Sequence, residues 1–180
     1  MIMNYKECME KYGNAYQLSR VMENGFVYKI EEGIYSENPY EAELAIISKK
    51  YPKAVLTGDF AFYAHGLTDI VPNQYDLATG QKAAPITDPR VHQIYMKNDL
   101  LYLGVKEHSI DSCTVLMYDR ERMLIELLRN KNKMPYDLYK EVLYGYRRII
   151  ETLEIWRIQE YAEIFPKSKM IKRALDEEVM

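Results

Sequence analysis

Apolar and polar positions alternate along this chain with two different periods. Near the start the helical period appears twice, over Met1 to Lys11 and over Asn14 to Asn24, where Leu18, Val21 and Met22 share a face. Gly25 ends the second stretch. Phe26-Val27-Tyr28-Lys29-Ile30 and Gly33-Ile34-Tyr35 follow as β-rich runs around Glu31-Glu32-Gly33, a hairpin signal. Asn38-Pro39-Tyr40-Glu41 combines a capping residue, a proline and a glutamate at the spacing of a helix start. It predicts a helix to about Tyr51, with Leu44, Ile47 and Tyr51 on one face and Pro52 as its stop. Ala54 to Asp69 reads as a strand, a turn at Gly58, and a short helix capped by Asp59 and running to His65. Gly66 is then its stop, with Leu67 folded back on the last turn.

Strand-like runs occupy Asn73 to Thr79, Arg90 to Lys97, Leu100 to Lys106 and Cys113 to Tyr118, with Gly80 to Pro89 a loop and Asn98-Asp99 a hairpin turn. From Asp119 onward the helical period returns. Met123, Leu124, Leu127 and Leu128 form one stripe, and Leu138, Tyr139, Val142, Leu143, Tyr146, Ile149 and Ile150 form a longer one opened by Asp137. Leu153, Trp156 and Ala162 mark a third helix ending at Pro166, and Ser168 caps a fourth. The expected fold class is α+β. It comprises a small N-terminal winged-helix-like module over residues 1–37 and a larger domain over 38–180, which holds a mixed β-sheet with flanking helices (54–118) and a helical C-terminal half (119–178).

Composition narrows the functional classes. The 180 residues carry 28% charged and 48% apolar positions and a net charge of −3, so no global charge points to nucleic acid or a membrane surface as partner. Two cysteines, Cys8 and Cys113, and no apolar leader lead us to expect a reducing, cytoplasmic setting with no disulfide framework. Seventeen tyrosines against four phenylalanines point to half-buried helix faces, with rings packed and hydroxyls wet.

Candidate chemistry is sparse. His65, His92 and His108 are scattered, none at metal-ligand spacing, and no nucleophile elbow or glycine-rich phosphate loop is present, so no metal, cofactor or catalytic residue is expected. One catalytic pattern bears weighing. Thr57-Gly58-Asp59, a short helix, then Gln74-Tyr75-Asp76-Leu77 resembles the minimal nucleotidyltransferase arrangement, where paired carboxylates on one strand bind two metal ions. Glutamine at position 74 breaks the pair, so Asp59 is expected to serve as a helix cap and Asp76 as a strand-end residue.

Several stretches together resemble the AbiEi family of antitoxins from bacterial abortive-infection toxin–antitoxin systems. They are Gly25 to Tyr35; Thr57-Gly58-Asp59 with Ala61; His65-Gly66-Leu67-Thr68-Asp69; Tyr118-Asp119-Arg120-Glu121-Arg122; Glu160-Tyr161-Ala162; and Phe165-Pro166-Lys167. The resemblance implies a winged helix-turn-helix that represses its own operon, joined to an antitoxin domain that opposes a nucleotidyltransferase toxin without enzymatic activity of its own. Readings as a winged-helix regulator of unrelated genes, or as a degenerate nucleotidyltransferase-like protein, stand beside it. On promoter DNA, Tyr16, Gln17 and Arg20 would face bases and Lys29 a phosphate. Charge argues for weak binding, because residues 1–36 hold four Lys and Arg against five Glu. A second candidate surface is basic. Arg120, Arg122, Arg129, Lys131 and Lys133 outnumber Glu121 and Glu126 locally and would meet the toxin or another acidic partner.

Overall fold

A computed structural model describes residues 1–111 and 113–179. The chain forms two compact units, residues 1–54 with 109–115, and residues 55–108 with 116–179. Helices and a mixed sheet followed by a helical C-terminal half make it an α+β protein, as the hydrophobic periods predict. No helix among the described residues is long and apolar enough to cross a membrane.

The first unit opens on β1 (Ile2–Asn4), a strand too short for alternation to reveal and read from sequence as helix. Asn4 then starts α1 (Tyr5–Tyr12) through a reciprocal cap, its side chain accepting from the Glu7 N–H while the Glu7 carboxylate accepts from the Asn4 N–H. Asn14 caps α2 (Ala15–Glu23) by a single bond, its side chain accepting from the Gln17 N–H at 2.9 Å. β2 (Tyr28–Glu31) and β3 (Ile34–Ser36) form the expected hairpin. β3 is central, antiparallel to both β1 and β2. Met3, Cys8, Leu18, Val27 and Tyr35 fill the small core.

α3 (Glu43–Lys50) packs on β1 and β3 and so belongs with this unit. The boundary expected at residue 37 falls instead after residue 54. Asn38 to Glu41 does not start the helix. The Ser36 hydroxyl donates to the Glu41 carboxylate and accepts from the Asn38 N–H, which holds the segment outside the helix.

In the second unit, β4 (Val55–Leu56), β5 (Tyr75–Gly80), β6 (Val91–Met96), β7 (Val105–Ile110) and β8 (Cys113–Tyr118) form a mixed sheet in the order β6-β5-β4-β8-β7. The ends of β7 and β8 cluster with the first unit. β4 runs antiparallel to β5 and parallel to β8, while β5 and β6 are parallel. Asn98-Asp99 is not a hairpin turn. These residues open the short helix α5 (Asn98–Leu101), and β6 and β7 lie on opposite edges of the sheet.

α4 (Gly58–Ala64) follows β4, and the helical half holds α6 (Arg120–Arg129), α7 (Tyr136–Ile149), α8 (Ile155–Ile164) and α9 (Ser168–Ala174). α6 is the hub of this unit. It packs against α4, α7, α8 and α9, and every residue from Glu121 to Leu128 is buried, not only its leucine stripe. Met123, Leu124, Ile125 and Leu127 lose all contact with solvent, each contributing about 1.5–3 kcal/mol of burial.

Candidate functional site

Asp119 is the node at which distant stretches of the second unit meet. It follows β8, accepts from the Arg122 N–H with Oδ1 at 2.8 Å to cap α6, and takes the Tyr161 hydroxyl from α8 on Oδ2 at 3.1 Å. Lys106 on β7 and Arg157 on α8 stand 3.5 and 3.8 Å from the same oxygen. The backbone N–H of Asp119 donates to the Gly104 carbonyl at 2.7 Å. Gly104 is required there, since its φ is +77° and a Cβ would fall 2.7 Å from that of Arg122.

Beside this node lies a cavity of about 520 Å³, walled by His65, Lys106, His108, Arg120, Glu121 and Arg157 among others. His65 ends α4 and donates from Nε2 to the Tyr118 carbonyl at 2.8 Å, which requires a proton on Nε2. Burial lowers its pKa to about 4. Its ring meets the edge of His108 at 5.2 Å. Lys106 and His108 share one face of β7, two residues apart. Burial, then Lys106, lowers the pKa of His108, whose Nε2 is buried without a hydrogen-bond partner among the described residues.

The expected basic surface divides. Arg122 is fully buried, paired with Glu126, donating to the Leu100 and Leu103 carbonyls, and stacked against Tyr118 and Phe165 at 4.4 and 4.1 Å. It is a core residue and cannot meet a partner, which corrects the surface role expected of it. Arg129 bonds Glu126 and stacks on Phe165, and Lys131 is held by Glu178 over the Tyr139 ring. Arg120 and Lys133 are exposed, and among the described residues neither has an acidic partner.

The candidate catalytic carboxylates also have structural tasks. α4 has Thr57, not Asp59, at its cap position, and the Asp59 N–H there donates to Oδ2 of Asp76 at 2.9 Å. Asp76 therefore does the capping expected of Asp59. Its Oδ1 lies 2.6 Å from Nδ1 of His92, so both carboxylate oxygens are engaged. Gly58 permits this approach, because its φ is +56° and a Cβ would sit 2.5 Å from Oδ2 of Asp76. The pKa of Asp59 is raised by burial first and then by the Asp76 charge. Among the described residues no three His, Cys, Asp or Glu are grouped to hold a metal ion.

In the first unit Tyr16, Gln17 and Arg20 lie exposed on α2. Lys29 on β2 is bonded by the Glu32 carboxylate at 2.6 Å. Lys6, Lys11 and Lys49 likewise pair with Glu10, Glu37 and Glu7. Arg20 has no acidic partner among the described residues. Phe26, just after α2, is 69% exposed, an apolar surface that the sequence reading did not single out.

Sequence reasoning also passed over His65 and His108 as a pair and Lys106 as their neighbour. The alternation that puts Lys106 and His108 on one strand face was obscured, because the strand was read as ending at Lys106 and instead begins at Val105. No family model matches the chain, and no curated protein matches it in sequence.

Proposed function

We propose that this protein is the antitoxin of a bacterial abortive-infection pair, a non-enzymatic cytoplasmic protein that opposes a nucleotidyltransferase toxin. One observation carries the reading: four of the stretches by which the sequence resembles AbiEi antitoxins are bonded to one another in the second unit. His65 of His65-Gly66-Leu67 donates to the carbonyl of Tyr118. Tyr161 of Glu160-Tyr161-Ala162 donates to Asp119, and Arg122 of the same stretch as Asp119 stacks on Phe165 of Phe165-Pro166-Lys167. The commitment of both Asp76 oxygens to the α4 cap and His92 supports a role without phosphoryl-transfer chemistry of its own.

A second reading, transcriptional autoregulation, has the element order of the first unit in its favour and the pairing of its lysines with glutamates against it. A strand, two helices and a hairpin whose second strand lies centrally is winged-helix order, and α3, which follows the hairpin, supplies a third helix against that sheet.

The test is co-expression with a nucleotidyltransferase toxin encoded beside it, which this reading requires. Restored growth of cells arrested by that enzyme is the expected result, and arrest undiminished by a soluble, abundant chain would refute the proposal.

A further inference from the structure

The cavity beside Asp119 has spare hydrogen-bonding capacity of one kind. Its acidic residues are already engaged. Asp119 accepts from the Arg122 N–H and the Tyr161 hydroxyl, Glu121 accepts from the Glu154 N–H at 3.0 Å, and Glu154 pairs with Arg157. Two cations are less fully engaged. The Arg120 guanidinium is exposed with no side-chain partner among the described residues, and the Lys106 ammonium is half exposed and held only by the 3.5 Å contact with Asp119 among them.

We infer that this cavity binds the oxyanion group of a small organic molecule, a phosphomonoester or a carboxylate, gripped by Arg120 and Lys106, with the His108 ring lining the wall beside them. Arg120 offers the planar fork that matches such oxygens in pairs, and Lys106 adds a mobile point charge. His65 fixes the His108 ring from the side, its own Nε2–H held by the Tyr118 carbonyl. At about 520 Å³ the space exceeds a lone inorganic ion and falls within the roughly 300–1,000 Å³ of small-molecule sites. The remaining wall, including Ala64, Thr152 and Leu153, would face the rest of the molecule. The inference stands apart from the antitoxin reading, since it rests on the cavity alone.

Calorimetric titration of the full chain with inorganic phosphate and, separately, with citrate, against a sodium chloride background of equal ionic strength, tests it. Saturable binding of at least one probe is expected, weakened about tenfold or more in Arg120→Gln, the loss of one charge-assisted contact. The His108 ring nitrogens should shift in NMR spectra during the same titration. Binding of phosphate alone identifies a phosphomonoester, citrate alone a carboxylate, and both an oxyanion site without that selectivity. Lys106→Gln provides a second reading should Arg120→Gln fold poorly, and it too should weaken binding. No saturable binding of either probe, or affinity unchanged in the folded variants, overturns the inference.

Discussion

The Tyr161 hydroxyl donates to Oδ2 of Asp119 at 3.1 Å across a separation of 42 residues, tying α8 to the start of α6. Asp119 is buried, and this bond keeps an ionised carboxylate supplied with donors inside the second unit. Tyr161→Phe keeps the ring and removes only the donor. It should cost about 1.5–3 kcal/mol in urea denaturation, the range for a hydrogen bond to a charged group. A stability loss well below that would show that Lys106 and Arg157 suffice for Asp119.

Arg122 behaves as core. Arg122→Met leaves the Leu100 and Leu103 carbonyls without their donor and the buried Glu126 carboxylate with Arg129 as its remaining cation, and should cost up to about 3–5 kcal/mol, the range when one member of a buried pair is removed. The reversal Lys133→Glu alters an exposed side chain and should leave the melting temperature unchanged. Thermal melts of the two variants side by side check the division of the basic cluster, and equal melting temperatures would contradict it.

The burial of Arg122 also shows where sequence reading stops. The leucine stripe, the Asp119 cap and the hairpin at Glu31-Glu32-Gly33 were legible because period and local caps act within a few residues. An arginine flanking an apolar stripe reads as solvent-facing. What buries Arg122 comes from carbonyls 22 and 19 residues away and from Phe165, which no local pattern contains. Its spacing of four from Glu126 was the one available signal. The capping of α4 was assigned to the wrong aspartate for the same reason, since Asp76 reaches it from a neighbouring strand. The cavity was illegible because its walls come from α4, β7, α6 and α8.

His65 sets a pH dependence. Its folded pKa, lowered by burial to about 4, lies below the ordinary value of 6.5, so the unfolded chain takes up a proton first as pH falls. Stability contributed by the neutral ring is therefore complete above pH 6.5 and lost progressively between about 6.5 and 4. The loss is about 3 kcal/mol at its limit. His108, also lowered, acts in the same direction, and Asp59, raised, in the opposite one. The difference in unfolding free energy between the wild type and His65→Gln isolates the effect: it should shrink as pH falls through this window, and a constant difference would contradict the assignment.

On DNA the first unit should bind weakly. Lys29 is held by Glu32, which leaves Arg20 as the exposed cation of α2, whereas tight binding takes several phosphate contacts. A gel-shift titration with its own promoter at physiological salt should give dissociation in roughly the micromolar range or weaker. A nanomolar, sequence-specific shift lost in Arg20→Ala would contradict this.

The central claim is opposition to a toxin without catalysis, and one growth measurement reaches it. Asp59→Asn with Asp76→Asn removes both carboxylate charges at the start of α4 yet keeps an oxygen to accept the Asp59 backbone N–H, so the fold should persist. Co-expressed with the nucleotidyltransferase toxin that the proposed function requires, this doubly substituted chain should restore growth as fully as the wild type. Loss of rescue by a variant that retains the wild-type circular dichroism spectrum and melting temperature would contradict the account.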